Sequence, residues 1–221
     1  MENLFIITGA NRGLGEAFFE VLIKERKNFI VSISRSQSKK QEEFKSNNFY
    51  FLKADLSQNS LEEKLYDLHR HIEGNKIFFI NNASIIEPIT NVENLNEVDI
   101  ERIVNVNVKA PILIVKYLLK NFSEKKLSFI NISSGAADRP IDNWSMYCAT
   151  KSCLKMFFKV AEQEYKQHSF YNVDPGVMNT NMQELIRKNN FPDADNFRAL
   201  YNDGKLKSPI EVATKIINDV L

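Results

Sequence analysis

The stretch TGANRGLG, Thr8–Gly15, follows a short apolar run and precedes an amphipathic segment. A strand, a glycine-rich turn and a helix in this order form a loop that binds the pyrophosphate of a dinucleotide. Gly9 permits the sharp turn, Gly13 lets the backbone approach a phosphate, and Gly15 lets the helix pack closely. The helix amino terminus would then face the phosphate charge. The stretch predicts a dinucleotide-binding loop, with a purely structural tight turn as the alternative.

Beyond this loop, short apolar runs alternate with longer helical patterns, which is typical of parallel strands joined by crossover helices. The pattern predicts strands at 3–8, 29–34, 49–53, 76–81, 127–132 and 169–173. It predicts helices at 14–26, 37–46, 58–72, 96–121 with a break, 144–167, 178–189 and 208–220. The fold class is therefore α/β, a Rossmann-type doubly wound parallel sheet with helices on both faces.

Composition and charge favour a single domain with a small-molecule partner. The 221 residues are 43% hydrophobic and no linker rich in Pro, Gly or Ser divides them, so one domain over 1–221 is expected. The net charge of +1 disfavours nucleic acid or an anionic membrane as a partner. Apolar runs are too short to cross a bilayer and strand-like sequence begins by Asn3, so a cytoplasmic location is expected.

The cysteines and histidines do not suggest a metal site. Cys148 and Cys153 lack the Cys-x-x-Cys spacing of redox and zinc sites, and they are interpreted as buried free thiols. His69 and His71 lie in the charged run YDLHRHIEGN and are interpreted as part of a solvated helix face. We therefore expect no metal.

The second predicted strand ends in SISRS, 32–36, which contains Arg35 and no acidic residue. Proteins that bind NAD usually place Asp or Glu there to hold the ribose hydroxyls. Arg35, together with Arg12 in the loop, instead suits the 2′-phosphate of NADP through charge-assisted hydrogen bonds. The sequence predicts NADP(H) as the cofactor, with exposed arginines that have no binding role as the alternative.

Two tyrosines stand four residues before a lysine, at Tyr147–Lys151 and at Tyr201–Lys205. Spacing alone does not choose between them, because about one such pair is expected by chance. The segment between Tyr201 and Lys205 reads Asn-Asp-Gly, which is turn chemistry and would not hold both side chains on one helical face.

Motifs along nearly the whole chain resemble those of the short-chain dehydrogenase/reductase family. They are Thr8–Gly15, Asp55-Leu56, the NNA of 81–83, Asn107 in VNVKAP, the ISS of 132–134, the YCATK of 147–151 and the PGVMNT of 175–180. The family places its catalytic serine thirteen residues before its tyrosine. Ser134 stands there relative to Tyr147, whereas Lys188 stands there relative to Tyr201. The resemblance therefore selects Tyr147.

The resemblance implies a carbonyl reductase that transfers hydride from a nicotinamide to a ketone. Tyr147 would donate a proton to the carbonyl oxygen, and Ser134 would hydrogen-bond that oxygen. Lys151 would hold the nicotinamide ribose, and Asn107 would position a water that links Lys151 to solvent. Lys151 and the oxidised nicotinamide would both favour tyrosinate, so a lowered pKa of Tyr147 is expected.

The implied cofactor contacts extend from the loop to the end of the sixth strand. They are Gly9, Asn11, Arg12, Gly13, Leu14, Gly15, Arg35, Asp55, Leu56, Asn82, Ala83, Ser84, Tyr147, Lys151, Pro175, Gly176, Val177 and Thr180. Asn81 is interpreted either as part of this motif or as a residue that braces the sheet. Two features depart from the family: Ser84 replaces a glycine, and the final C-terminal strand is missing, which would leave the sixth strand as an exposed edge.

Within the family, the chain resembles the sepiapterin reductases and the bacterial reductases that convert benzil to (S)-benzoin. The residues that carry this likeness are Trp144, Cys148, the DPGVMNTNMQ of 174–183 and the DGKLKSPIEVATK of 203–215. The segment at about 176–206 would face the substrate. The expected substrate contacts are Ser134, Trp144, Tyr147, Met178 and Met182, with core packing as the alternative for each methionine.

A benzil-like α-diketone is the favoured substrate, because the chain ends before the acidic tail with which sepiapterin reductases anchor a pterin. A pterin side-chain carbonyl is the alternative substrate, and a non-catalytic NADPH-binding sensor is the alternative of another class. The segment LKMFFKVA, 154–161, is apolar around more of its circumference than a simple amphipathic helix. Family members pair through this helix and the one near 107–120, so we expect a homodimer, with a homotetramer as the alternative.

Overall fold

Six parallel strands form one sheet in the computed structural model, which describes residues 2–71 and 74–221. The strands are β1 (Asn3–Thr8), β2 (Asn28–Ser34), β3 (Phe49–Lys53), β4 (Lys76–Asn81), β5 (Lys126–Ile132) and β6 (Ser169–Val173). Their order is β3-β2-β1-β4-β5-β6, and every neighbouring pair is parallel. The direction of winding reverses between β1 and β4, so the ligand-binding crevice of this fold lies at the carboxyl ends of those strands. The structure thus confirms the doubly wound α/β fold.

Helices cover both faces of the sheet. The α-helices are α1 (Gly13–Leu22), α2 (Lys39–Glu43), α3 (Leu61–Leu65), α4 (Glu97–Val104), α5 (Ala110–Phe122), α6 (Ser145–Glu164), α7 (Asn181–Lys188), α8 (Ala194–Asn202) and α9 (Pro209–Val220). Shorter 3₁₀ segments lie at Tyr66–His71, Val92–Asn94 and Gly135–Ala137, and a π-helical turn lies at Asn105–Lys109.

Alternation along the strands divides the apolar core between the two faces. In β1, Leu4 and Ile6 join the cluster beneath α3, α5 and α6, whereas Phe5 and Ile7 join the cluster beneath α1 and α9. All four side chains are at most 1% exposed. A strand buried on both faces reads as a continuous apolar run, which explains why the strands were recognisable in the sequence.

The predicted strands are all present, with β2 and β5 each one residue longer than expected. In the described residues the sheet ends at β6, which is an edge strand as predicted. The helices differ more. The helix predicted at 14–26 ends at Leu22, because the side-chain amide of Asn28 donates to the Leu22 carbonyl at 2.9 Å and the residues after Ile23 are charged or polar up to Asn28.

Two further helix predictions were too long. The one at 37–46 is shortened to α2, which starts with a capping box between Ser38 and Gln41 and ends where Phe44 turns to extended backbone. Phe44 leaves the helix and packs edge-on against Phe19 and Phe49. The one at 58–72 consists of α3 and a 3₁₀ segment to His71, and residue 72 lies outside the described residues. Helix α8 was missed because turn residues at both its ends masked a short amphipathic stretch.

The predicted break within 96–121 is the π-helical turn at Asn105–Lys109, with α4 and α5 continuous on either side. Pro111 has no N–H to donate to the Asn107 carbonyl four residues earlier, so regular α-helical bonding fails there. The turn brings Asn107 onto the buried side of the helix, where its side chain is 2% exposed.

The interpretations of the cysteines and histidines need correction. Cys153 is exposed and Cys148 only half-buried, because both lie on the sides of α6 that do not face the sheet. His69 is exposed as expected, but its Nδ1 contacts the Tyr117 hydroxyl and its ring packs against Phe122. His71 is half-buried, with its ring centroid 3.9 Å from that of Tyr50. The aromatic surroundings of both rings were not readable from the charged run in which they lie.

Candidate active site

A cavity of about 450 Å³ lies at the carboxyl ends of the strands, where the winding reverses. Of the predicted cofactor and substrate residues, all line this cavity except Gly15, and Asn107 also lies outside the lining. The cavity has further lining residues that the sequence had not singled out, among them Arg102, Asp174, Gln183, Ile186 and Phe197. One cleft therefore collects residues from the glycine loop, the strand ends and the segment after β6.

The glycine loop forms a cradle that side chains would fill. Gly9 and Gly13 have φ values of +65° and +56°, which favour glycine. A Cβ at Gly9 would lie 3.1 Å from the Cα of Ala83, and one at Gly15 would lie 2.1 Å from the Gly9 carbonyl oxygen. The loop is thus shaped for close approach of a ligand and of the helix, as a dinucleotide site requires.

Asn82 and Thr8 fix this loop to the end of β4. The Asn82 side-chain amide donates to the carbonyl oxygens of Thr8 and Gly9, at 3.0 and 3.2 Å. The backbone N–H groups of Asn82 and Ala83 both donate to the Thr8 hydroxyl at 3.1 Å. Asn82 therefore has a clear structural task, in addition to any contact with a cofactor.

Asn81 begins a ladder of asparagines across the sheet. Its side-chain amide donates to Asn131 Oδ1 at 2.9 Å, and the Asn131 amide donates to Asn172 Oδ1 at 2.8 Å. The three residues lie side by side on β4, β5 and β6. These contacts support the interpretation of Asn81 as a residue that braces the sheet.

The end of the cleft beside the glycine loop and the end of β2 is rich in cations. Arg12 and Arg35 are exposed, line the cavity, and make no ion pair among the described residues. Asn11 donates to the Ser36 hydroxyl at 3.2 Å, which joins the loop to the end of β2. Burial acts to raise the pKa of Asp55, but hydrogen bonds from Ser57 and the nearby positive charge of Arg35 outweigh it, so the pKa lies below its usual value.

Tyr147, Lys151 and Ser134 meet at the other end of the cavity. Tyr147 lies on the first turn of α6 and Lys151 one turn later; they are 6% and 5% exposed. The Lys151 ammonium lies 5.6 Å from the centroid of the Tyr147 ring and donates to the Ile132 carbonyl at 2.9 Å. Ser134 follows β5 and caps a short 3₁₀ turn by accepting from Ala136 N–H at 3.2 Å.

The electrostatics of this end differ from the expectation. Burial raises the pKa of Tyr147 to about 12, although the hydroxyl groups of Ser134 and Ser84 lower it in part. Burial also lowers the pKa of Lys151 to about 8, and the carboxylate of Asp174 counters that in part. The lowered pKa of Tyr147 was predicted with both Lys151 and the oxidised nicotinamide beside it; the residues of this chain alone instead raise that pKa, because burial outweighs the Ser134 and Ser84 hydroxyls.

Asn107 lies outside the cavity lining and supports the site through hydrogen bonds. Its side chain accepts from Ile85 N–H at 2.9 Å and donates to the Ile85 carbonyl at 2.8 Å. It also donates to the Thr150 hydroxyl at 3.1 Å, immediately before Lys151 in α6. The π-helical turn thus ties the loop after β4 to the helix that carries Tyr147.

The substitution of Ser84 for the usual glycine introduces no backbone strain. Among the described residues, Asn143 is the one non-glycine residue with a positive φ. Ser84 lines the cavity, and its hydroxyl is close enough to Tyr147 to lower the phenol pKa.

Aromatic rings line the far end of the cleft. The Trp144 ring meets Tyr147 edge-on, with centroids 5.8 Å apart, and stacks on Phe197 at 5.3 Å. Met182 packs against the same cluster, whereas Met178 packs against the core beside α9 and forms a parallel bridge to Lys207. Of the two methionines, Met182 is the one that packs against the aromatic cluster around Trp144 and Phe197.

The rival tyrosine has a different setting. Tyr201 is 50% exposed near the end of α8, and the Arg187 guanidinium lies 4.0 Å from its ring centroid. The predicted turn follows it, with Gly204 at φ +66°. Tyr201 does not line the cavity.

The chain belongs to the short chain dehydrogenase family, whose model matches residues 3–190. It is therefore an oxidoreductase of that family. It is 35% identical to a benzil reductase ((S)-benzoin forming) of Bacillus cereus, an alignment that covers 96% of this chain and 92% of the relative. It is 25% identical to the sepiapterin reductase of Bos taurus, with 84% and 76% covered. Among solved structures, the KRED1-Pglu enzyme superimposes with a TM-score of 0.89 at 25% identity, covering 99% of this chain and 94% of that one.

Proposed function

We propose that this protein is an NADPH-dependent carbonyl reductase that acts on a benzil-like α-diketone. The observation that carries the proposal is the meeting of Ser134, Tyr147 and Lys151 at one end of a cavity whose other end holds the glycine loop and two arginines that form no ion pair with any described residue. Similarity to benzil reductases at 30–35% identity supports the choice of substrate.

Several parts of the chain would hold the cofactor. The glycine loop would take the pyrophosphate, and Arg12 and Arg35 would take the 2′-phosphate. Lys151 would hold the nicotinamide ribose, and Val177 and Thr180 would take the carboxamide end. The chemistry that a bound dihydronicotinamide would supply at this site is transfer of a hydride to the carbonyl carbon.

The residues of the chain supply the proton. Tyr147, neutral because burial keeps its pKa at about 12, donates its phenolic proton to the carbonyl oxygen as negative charge develops there. The Ser134 hydroxyl donates a hydrogen bond to the same oxygen. Hydride and proton together convert one C=O of the diketone to an alcohol and leave an α-hydroxyketone. Solvent then returns a proton to Tyr147. We propose that this proton passes by way of Lys151, which a water positioned by Asn107 would link to solvent.

The rings of Trp144 and Phe197, which line the cavity and pack against Phe191 behind them, support an aryl or alkyl diketone as substrate. A pterin with a side-chain carbonyl is the second candidate, since the chain is also similar to sepiapterin reductases. The segment at about 176–206 is the proposed substrate-facing part of the chain.

Oxidation of NADPH on addition of benzil tests the proposal, with NADH and a pterin substrate measured in parallel. Tyr147→Phe should reduce kcat by about 10²–10⁴-fold, which is the range for general acid catalysis, and leave NADPH binding intact. A non-catalytic sensor predicts no turnover by the unaltered protein. Failure to turn over any diketone would reject the substrate.

We further propose that the protein is a homodimer, with a homotetramer as the alternative, and that it is cytoplasmic. Among the described residues, no helix is both long and apolar enough to cross a membrane. Both cysteines are free thiols, which agrees with a reducing compartment.

A further inference from the structure

Gln183 lies on the first turn of α7 and lines the cavity beside Met182 and Ile186. Its backbone N–H donates to the Thr180 hydroxyl, so the start of the helix fixes its position. The side chain is 3% exposed. A buried amide among apolar lining residues needs partners for both its ends.

The orientation of this amide follows from its neighbour. Gln183 Oε1 accepts from Arg187 Nη1 at 3.0 Å, and a guanidinium can only donate, so the amide oxygen must face Arg187. Arg187 is itself fixed against the Tyr201 ring. The Gln183 Nε2 group therefore points away from Arg187, and it is buried with no acceptor among the described residues.

A second donor at the same end is also unpaired. The indole N–H of Trp144 is buried and has no acceptor in the described part of the chain, and the residue is 4% exposed. An unpaired buried donor costs about 1–3 kcal/mol, which an oxygen atom of a ligand can recover. Both residues line the cavity, but their unpaired N–H groups are covered by neighbouring atoms, so a ligand oxygen would reach either group once that side chain turns towards the cavity.

We infer that Gln183 is a specificity-determining residue: its Nε2 donates a hydrogen bond to the second carbonyl oxygen of a vicinal dicarbonyl whose first carbonyl meets Ser134 and Tyr147. The inference rests on the proposed function and explains how the site distinguishes a diketone from a simple ketone. A site built to hydrogen-bond an oxygen rejects an analogue that lacks it, because the buried donor is then left unpaired.

The test compares benzil with deoxybenzoin, which keeps both phenyl rings and only one carbonyl. For Gln183→Met, which keeps the length and removes the N–H group, we expect the ratio of kcat/KM for benzil over deoxybenzoin to fall about 10–100-fold, corresponding to one lost buried hydrogen bond. NADPH binding, followed by quenching of protein fluorescence, should not change.

Gln183→Glu serves if the methionine variant does not fold, since it keeps an acceptor for Arg187 and removes the same donor; the same fall in the ratio is expected. Met182→Leu, at the neighbouring lining position, should change kcat/KM for both substrates by a similar factor.

An unchanged ratio in the Gln183 variants overturns the inference while the benzil activity of the unaltered protein stands. A loss of NADPH binding with an equal loss for both substrates also overturns it, because the amide would then serve the cofactor. No benzil turnover by the unaltered protein rejects the proposed function and the inference with it.

Discussion

Arg35 directly follows β2, at the position where an acid would select NAD, and its guanidinium has no ion-pair partner in the described residues. Replacing it with alanine removes a charge-assisted contact to a 2′-phosphate. We expect Arg35→Ala to raise the KM for NADPH about 10–100-fold, from the roughly 1.5–3 kcal/mol of a hydrogen bond to a charged group, and to leave the KM for NADH unchanged. Steady-state kinetics with both cofactors checks this.

Arg26→Ala is the matched control, because Arg26 is an exposed arginine that does not line the cavity. It should alter neither KM. Equal changes for NADPH and NADH in Arg35→Ala would contradict the role of this residue in cofactor choice.

His168 gives a residue-scale prediction about stability. Burial lowers its pKa below the usual 6.5, and neither ring nitrogen has a hydrogen-bond partner among the described residues. As pH falls through about 6.5, the unfolded chain takes up the proton before the folded one, so the free energy of unfolding decreases until the lowered pKa is reached. His168→Phe should therefore lose less stability between about pH 8 and about pH 5, measured by urea unfolding. Parallel losses in the two proteins would contradict this.

Ser134, Tyr147 and Lys151 were predicted as a set from the resemblance to a family, because the spacing of Tyr147 and Lys151 alone is shared with Tyr201 and Lys205. The three side chains line one cavity, and their catalytic roles stay a prediction. Gln183 gave no such signal in the sequence, since its proposed role rests on an amide N–H group that the fold leaves without an acceptor among the described residues. The direction of the Tyr147 pKa was also out of reach, because desolvation is a property of the folded cleft.

At the scale of elements, the strands were easier to predict than the helices. A strand that is buried on both faces begins and ends where its apolar run does, so its bounds can be seen in the sequence. Helix ends here are set by single contacts, such as the hydrogen bond from Asn28 to the Leu22 carbonyl. The π-helical turn could be anticipated only as a break. Its cause, a proline four residues after Asn107, is in the sequence, but its effect on Asn107 is a matter of geometry.

The joint between β1 and α1 gives an element-scale prediction. A Cβ at Gly15 would lie 2.1 Å from the Gly9 carbonyl oxygen and 2.5 Å from Asn82 Nδ2, so the helix must move away from the loop. We expect Gly15→Ala to lower the free energy of unfolding by about 1–3 kcal/mol and to weaken NADPH binding. Chemical denaturation and fluorescence titration measure the two effects.

Gly135→Ala is the control for Gly15→Ala. Its Cβ would come no closer than 3.6 Å to the neighbouring atoms considered, here the Asp174 carboxylate, so its stability should remain close to that of the unaltered protein. Equal stabilities of the two alanine variants would show that the loop and helix are not packed as closely as the structure has them.

For the molecule as a whole, the outer side of α6 carries the prediction. Met156 and Val160, one turn apart, are 59% and 46% exposed, and Phe157 beside them is only half-buried. None of them lines the cavity, so ligand binding in the cleft does not explain why these apolar side chains are exposed. Apolar residues repeated at this spacing on an exposed helix are typical of a surface that another copy of the chain covers.

We expect the protein to elute as a homodimer of the 25.6 kDa chain in size-exclusion chromatography with light scattering. Val160→Asp should shift it to the monomer while leaving NADPH binding intact, because a carboxylate at the centre of an apolar interface loses its hydration without gaining a partner. Val92→Asp is the matched control, since Val92 is 67% exposed in the 3₁₀ segment Val92–Asn94 and does not belong to α6. A monomer for the unaltered protein, or the same mass for all three proteins, would reject this surface as the interface.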